Sequence, residues 1–202
     1  NESARRRAPC EASYLPFKRA VELEPRNAYA HDSFASVLLD VRGDRPRAEE
    51  HFRAAVRLRP KFPLPHRGLA AILEHRGDLD GAIREMSAFV SLSGDPDRHG
   101  AAKLASLRER RAERLAAEAS TRRAEAQARV HEGNQLVAQE KWDEALAAYR
   151  AAVELNPEMT EAWFAIGASE AGRNGNQSCE AMYAPLQKCV ELCPGHAAAH
   201  CC

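Results

Sequence analysis

Apolar residues recur along this chain with the period of a helix rather than that of a strand. In four places a small residue is followed by a bulky one four positions on and a small one three beyond that. Ala48/Phe52/Ala55 and Ala145/Tyr149/Ala152 show this cleanly, and Ala82/Met86/Phe89 and Met182/Leu186/Cys189 are imperfect copies. The i, i+4, i+7 spacing sets all three on one helical face, where small residues admit a neighbouring helix and the bulky one fills the gap beside it. The runs close on Val21-Glu-Leu-Glu-Pro25, Val56-Arg-Leu-Arg-Pro60, Val153-Glu-Leu-Asn-Pro157 and Val190-Glu-Leu-Cys-Pro194, with Val90-Ser-Leu-Ser-Gly94-Asp-Pro96 a looser version. Another helical pattern precedes each run. Trp163, Ile166 and Gly167 fall at i, i+3, i+4, Gly133 and Leu136 keep that frame, and Leu69-Ala70 does so with Leu73. Arg42-Gly43-Asp44-Arg45-Pro46, Arg76-Gly77-Asp78 and Gly172-Arg-Asn-Gly175-Asn separate the members of a pair. Gly suits a helix end, Asp an N-cap and Pro46 a first turn. The predicted unit is helix, tight turn, helix, Pro stop.

The unit repeats. Pro25 and Pro60 lie 35 positions apart, Pro60 and Pro96 lie 36 apart, and Pro157 and Pro194 lie 37 apart. This pattern resembles the tetratricopeptide repeat, whose signature is W-x2-L-G-x2-Y…A-x3-F…P over about 34 residues. Residues 126–159 match with Gly133, Leu136, Ala145, Tyr149, Ala152 and Pro157 in phase. Residues 28–62 and 63–96 follow, and 160–196 carries a three-residue insertion around positions 174–177. Residues 1–27 read as a partial repeat whose second helix covers 16–24, shortened by Pro16, and His196-Ala-Ala-Ala-His200-Cys-Cys would open a further first helix. The fold expected from the resemblance is an all-α solenoid. Ala48, Phe52, Ala55, Pro60, Ala82, Gly133, Ala145, Tyr149, Ala152, Pro157, Trp163 and Gly167 hold its repeat-packing positions. Departures are local: Arg129 stands in the slot that Trp163 fills in the next copy, Glu140 replaces a turn Gly, and Glu170 replaces a first-helix aromatic. Neither end resembles the polar cap that solenoids need, so the repeats are expected to continue beyond this stretch.

Between 97 and 125 the repeat signature disappears. From 101 to 132 there is neither Gly nor Pro, and Ala, Leu, Arg and Glu dominate, which favours one continuous helix of about 48 Å. Arg114/Glu118, Glu118/Arg122 and Glu125/Arg129 are opposite charges at i, i+4. The expected organisation is therefore a first array at 28–96, a charged linker helix at 97–125 and a second array at 126–202. With eight Lys/Arg against five Asp/Glu, the linker carries a net charge of +3. It could be a basic recognition helix or a solvated spacer. Leu104, Leu107 and Leu115 make too thin an apolar stripe for an amphipathic target helix, which favours the spacer.

Composition narrows the function. Over the 202 residues, 29 Lys+Arg balance 29 Asp+Glu, unlike the basic surface of a dedicated nucleic-acid binder. No apolar run approaches the roughly 18–20 residues of a membrane span. The N-terminal Asn1-Glu-Ser-Ala-Arg-Arg-Arg has no signal-type apolar stretch, and five of six Cys fall between Cys179 and Cys202 rather than forming a spaced disulfide framework. A reducing, cytoplasmic setting is the expectation. Cys189-x3-Cys193-x2-His196-x3-His200, followed by Cys201 and Cys202, offers thiolates and imidazoles that a zinc ion could use. Cys189, however, falls in a small-residue packing slot, and Pro194 bends the chain between the two Cys and the two His. Packing is the preferred reading, with no metal and no cofactor expected. No Gly-rich phosphate loop follows a strand, and His31, His66, His75 and His131 fall on first helices as surface or groove polarity. No catalytic residue is assigned.

The resemblance implies that first helices line a concave surface that takes a partner peptide or helix. Here that surface would hold Tyr29, Asp32, Ser33, Ser36 and Asp40, then Leu64, Arg67, Ala71, Glu74 and His75. In the second array it would hold Gln127, Val130, His131 and Asn134, then Glu161, Phe164 and Ala168. Val130-His-Glu-Gly133-Asn134 resembles the opening Lys-x-x-Gly-Asn of the carboxylate clamp that some co-chaperones of this family use on chaperone tails. Val130 replaces the Lys, so the charge-assisted bond to a terminal carboxylate would be missing. The expected function is a non-catalytic protein-interaction scaffold, with a protein or peptide partner and no nucleic acid. Two alternatives stand beside it. One is the regulatory repeat region of a larger enzyme, for example a glycosyltransferase. The other is a zinc-dependent assembly module built on the Cys/His tail.

Overall fold

A computed structural model describes residues 14–94, 98–175 and 180–193. All the regular structure among them is helical. The helices are α1 (14–23), α2 (Ala28–Asp40), α3 (Arg45–Leu58), α4 (Pro63–Arg76), α5 (Leu79–Leu92), α6 (Arg98–Val137), α7 (Trp142–Leu155), α8 (Thr160–Arg173) and α9 (Glu180–Leu192). The first is already helical at Tyr14, two residues ahead of the start expected at Pro16.

The turns follow the residues that signal them. The Asn27 side chain accepts from the backbone N–H of Tyr29 and Ala30 at the start of α2, Asp44 from Arg47 N at α3, and Asp78 from Gly81 N at α5. Each such cap stabilises its helix by about 1 kcal/mol. Gly43 and Gly77 turn the chain at φ +65° and +84°, a left-handed conformation that Gly adopts without penalty. Glu140 takes the corresponding position between α6 and α7 at φ +60°. A side chain there costs about 1–2 kcal/mol.

Two compact units divide at residue 114/115. In the first, α2 packs on α3, α3 on α4 and α4 on α5, while the first helices α2 and α4 also touch each other. One cluster joins Tyr14, Phe34, Ala35, Leu38, Ala48, Phe52, Leu69 and Ile72. A second joins Ala70, Leu73, Leu79, Ala82, Met86 and Phe89 to Leu104 and Leu107. The unit boundary therefore falls inside α6: its start packs as a first helix on α5, residues 108–125 are all exposed, and Ala126, Val130 and Gly133 are buried again. In the second unit Ala126 and Val130 join Ala145, Leu146, Tyr149, Ala152, Val153, Ala162 and Ile166, and α9 adds Met182, Leu186 and Cys189.

The small residues sit where helices come closest. A Cβ on Gly133 would lie 2.5 Å from the Tyr149 ring, and one on Gly167 2.6 Å from Leu186 Cγ. Ala48, Ala55, Ala82, Ala145 and Ala152 are fully buried, whereas Pro60 and Pro157 are exposed stops and Trp163 is half-buried, its indole N–H donating to Pro157 O at 2.8 Å.

Candidate functional site

The packing positions consume the buried faces, so chemistry is left to the faces of the first helices. In the first unit, α2 and α4 stand side by side over Phe52 of α3. Asp32, Ser36, Leu39 and Asp40 from α2 and Leu64, Arg67, Gly68 and Ala71 from α4 enclose with it a cleft of about 370 Å³. Gly68 makes the floor possible: a Cβ there would lie 2.3 Å from Phe52 Cζ. The i, i+4 placement of Asp32, Ser36 and Asp40 puts three polar groups on one edge of α2, facing Leu64, Arg67 and Ala71.

Asp32 is the unusual member. It is only 9% exposed, and burial pushes its carboxyl up to about 6, against the pull of the Arg67 guanidinium toward a lower value. The folded state thus favours the protonated acid, so Asp32 lowers stability progressively as pH rises from about 4 through about 6. Asp32→Asn is expected to melt above the parent protein at pH 7.5 and to lose that advantage near pH 4. Thermal melts at both pH values check this, and an advantage that grows on acidification would contradict the burial.

The remaining first-unit residues are placed elsewhere. Tyr29 is half-exposed and lies outside this cleft, its ring centroid 4.7 Å from that of Phe62 and its face 5.0 Å from the Arg59 guanidinium, which also donates to its hydroxyl. It lines two other depressions, one of about 680 Å³ with residues 24–28, Leu58 and Arg59, the other of about 430 Å³ with Phe17, Leu23 and Ser33. Glu74 is engaged by α6, bonding Lys103 Nζ at 2.8 Å and the Arg110 guanidinium. Burial works to raise its pKa, but Lys103 and then Arg110 outweigh it and hold the carboxyl below its ordinary value. Sequence reasoning missed this pairing because α6 carries no repeat signature to align it with α4. It also missed Gly68 and Leu39 as cleft residues, although Gly68 two positions before the packing residue Ala70 is a visible signal.

In the second unit, Asn134 accepts a hydrogen bond from the Tyr149 hydroxyl at 2.6 Å, His131 pairs with Gln135 at 2.9 Å, and the Gln127 amide donates to Glu161 at 3.3 Å. Phe164 is half-buried against Met182, Leu186 and Cys189. Val130 does not line a groove: it is fully buried with Ala126 and Tyr149, because one apolar residue per turn of α6 must face α7. Two histidines also differ from the surface reading. His31 is 9% exposed, with Nδ1 2.9 Å from His51 Nδ1 and Nε2 3.1 Å from Pro25 O. His66 is equally buried, 2.7 Å from Glu85, whereas His75 and His131 are exposed. Cys189 is sealed in the α8/α9 cluster, where burial pushes its thiol up, and Cys193 is half-buried. The rest of the Cys/His cluster, from Pro194 on, lies outside the described residues.

No described helix is long and apolar enough to cross a membrane. Comparison with curated proteins finds no match. Family models match residues 133–169 as a TPR repeat and residues 35–97 as a tetratricopeptide repeat. Among solved structures, the P58(IPK) TPR domain aligns at a TM-score of 0.50 with 18% identity, over 96% of this chain and 58% of that one. YrrB, described as a TPR protein with an unusual peptide-binding site, aligns at 0.45 and 20%, over 91% and 95%. The TPR2AB domain of yeast Sti1, solved in a complex with pHSP90, aligns at 0.44 and 18%, over 91% and 71%. At 18% identity the likeness to the P58(IPK) domain is one of fold alone. Two matched repeat segments, paired helices of the expected phase and glycines at close helix contacts lead to one assignment: the chain carries tetratricopeptide repeats over residues 35–97 and 133–169.

Proposed function

We propose that this chain is a non-catalytic interaction scaffold whose first unit binds an extended or helical partner segment in the α2/α4 cleft. The partner presents a Lys or Arg side chain. The observation that carries this reading is the Asp32 carboxylate held 9% exposed in the cleft wall, with Asp40 at its mouth and Arg67 as its sole basic lining residue. A cation entering beside Asp32 restores the charge that burial disfavours, so binding and ionisation favour each other. Leu39, Leu64, Ala71 and the Phe52 ring supply the apolar area that holds the segment. Charge selects and steers; apolar burial retains.

The opposite preference belongs to carboxylate clamps, and it is disfavoured here. The clamp's cation position is Val130, buried in the core, and Asn134 is engaged by Tyr149. The regulatory-region reading is compatible with the same groove, because it concerns what lies beyond these residues.

The test is a selection of randomised peptides, in parallel libraries with amidated and with free C-termini, on the full 202-residue chain. Lys or Arg should be enriched, and Asp32→Asn/Asp40→Asn should abolish the enrichment. Affinity of a selected peptide should also fall between pH 7.5 and 5 as Asp32 takes up its proton near 6. A preference instead for acidic peptides with free C-termini, or enrichment indifferent to both Asp substitutions, would overturn the reading.

A further inference from the structure

The α2/α4 cleft ends at Arg67 and Ala71, and these two residues also begin a second depression on the far side of α4. It is lined by Arg67, Ala71 and Glu74 from α4, Met86 and Phe89 from α5, and His99, Gly100 and Lys103 from the start of α6, with a volume of about 220 Å³. Its chemistry is unlike that of the first cleft. Met86 and Phe89 form an apolar floor, Gly100 contributes no side chain, and the one carboxylate, Glu74, is already neutralised by Lys103 and Arg110. Arg67 lies 5.7 Å over the Phe89 ring, so its stem and guanidinium make the wall between the two depressions.

We infer that this depression is a second subsite of the same groove, which takes one large apolar side chain of the partner segment whose Lys or Arg occupies the Asp32/Asp40 cleft. Resting on the binding reading above, the inference adds an order and a spacing. Neutralised Glu74 offers a second cation nothing, and Arg67 and Lys103 on the rim repel it. A depression of about 220 Å³ floored by Met86 and Phe89 is small and apolar, which suits one Leu, Met or Phe side chain rather than a longer stretch of the partner. Adjacent packed helices lie about 8–10 Å apart, and α4 separates the two subsites. A segment in the polyproline II conformation advances about 3.1 Å per residue and returns every third side chain to the same face, so two side chains three residues apart span about 9 Å and can enter both subsites. The ligand pattern is basic-x-x-apolar, read in either chain direction. The start of α6 thereby has a binding role: it closes the far wall of the groove, in a stretch whose sequence carries no repeat signature.

The peptide selection on the full chain tests this through a second pair of variants. Gly100→Leu fills the subsite from α6 with a good helix former and leaves Asp32 and Asp40 in place. The parent protein should enrich peptides with a large apolar residue three positions from the Lys or Arg. Gly100→Leu should retain the basic preference and lose the apolar one. For a selected peptide, replacing its apolar residue by Ala should weaken binding to the parent by about ten- to a hundredfold, and to Gly100→Leu by less than threefold. Should Gly100→Leu destabilise the unit, His99→Asp sets a carboxylate in the lining instead; it should remove the apolar preference and leave the basic preference at Asp32/Asp40, and an unchanged apolar preference would overturn the subsite. Basic enrichment without a fixed apolar partner position, or an apolar preference that survives Gly100→Leu, overturns the subsite while the Asp32 reading stands. No enrichment of basic residues at all overturns both.

Discussion

Ala152→Arg is expected to unfold the second unit while leaving the first folded. Ala152 has no exposed surface and lies in the cluster with Ala145, Tyr149 and Ile166. An arginine there adds a long side chain to a filled space and a charge with no route to water. Overpacking costs about 1–3 kcal/mol and burial of an unpaired charge several more, so a total of about 4 kcal/mol is the minimum expected. For a unit of this size that corresponds to a loss of at least about 15 °C in melting temperature. Both tryptophans, Trp142 and Trp163, lie in the second unit, so their fluorescence follows its melting alone. Hydrogen exchange should show protection lost across α7 and kept across α3. A tryptophan transition within a few degrees of the parent's would mean that the small-x3-bulky frame does not mark the contact faces.

That frame was legible because its cause is local and periodic. A small residue at one position and a ring four later can be read from the string, and Gly133 beneath Tyr149 is the outcome in space. The turn chemistry was legible for the same reason: Gly43, Gly77, Asp44 and Asp78 act within three residues of themselves. The groove was only half legible. Helical phase places Asp32, Ser36 and Asp40 on one edge of α2, but phase is blind to what stands opposite. Glu74 shares that kind of edge on α4 and is consumed by Lys103 and Arg110, 29 and 36 residues away, on a helix with no repeat signature. Tyr29 begins the same stripe and pairs with Phe62 and Arg59, because it stands in the first turn of α2, beside the α3–α4 connection and below the cleft. His31 and His66 are buried where surface or groove polarity is expected, since nothing in their own segments announces His51 or Glu85.

Glu170 shows how such a partner changes the energetics, and it gives a prediction with two opposite signs. The residue stands where the repeat pattern has an aromatic, and its side chain is 3% exposed, hydrogen-bonded to Arg150 at 3.0 Å and ion-paired with Arg173 at 2.6 Å. The two guanidiniums reach it from outside and remain 60% and 40% exposed. Removing the cations therefore strands a carboxylate in a dry site. Removing the carboxylate strands nothing, since both arginines stay in water. Arg150→Ala/Arg173→Ala should cost about 3 kcal/mol, the lower end for breaking a buried pair because only one side of this one is desolvated. Arg173 also reaches Asp143 at 2.9 Å, but that carboxylate is 84% exposed and the contact contributes little. Glu170→Leu should instead be neutral or stabilising, because an apolar side chain of similar size needs no partner. Adding it to the double Arg variant should then restore most of the lost stability, a non-additivity that a double-mutant cycle on the tryptophan melt measures directly. Were Glu170→Leu to cost as much as the loss of both arginines, the ion pair would be a net source of stability. The carboxylate would then hold α7 to α8 as strongly as the aromatic it replaces.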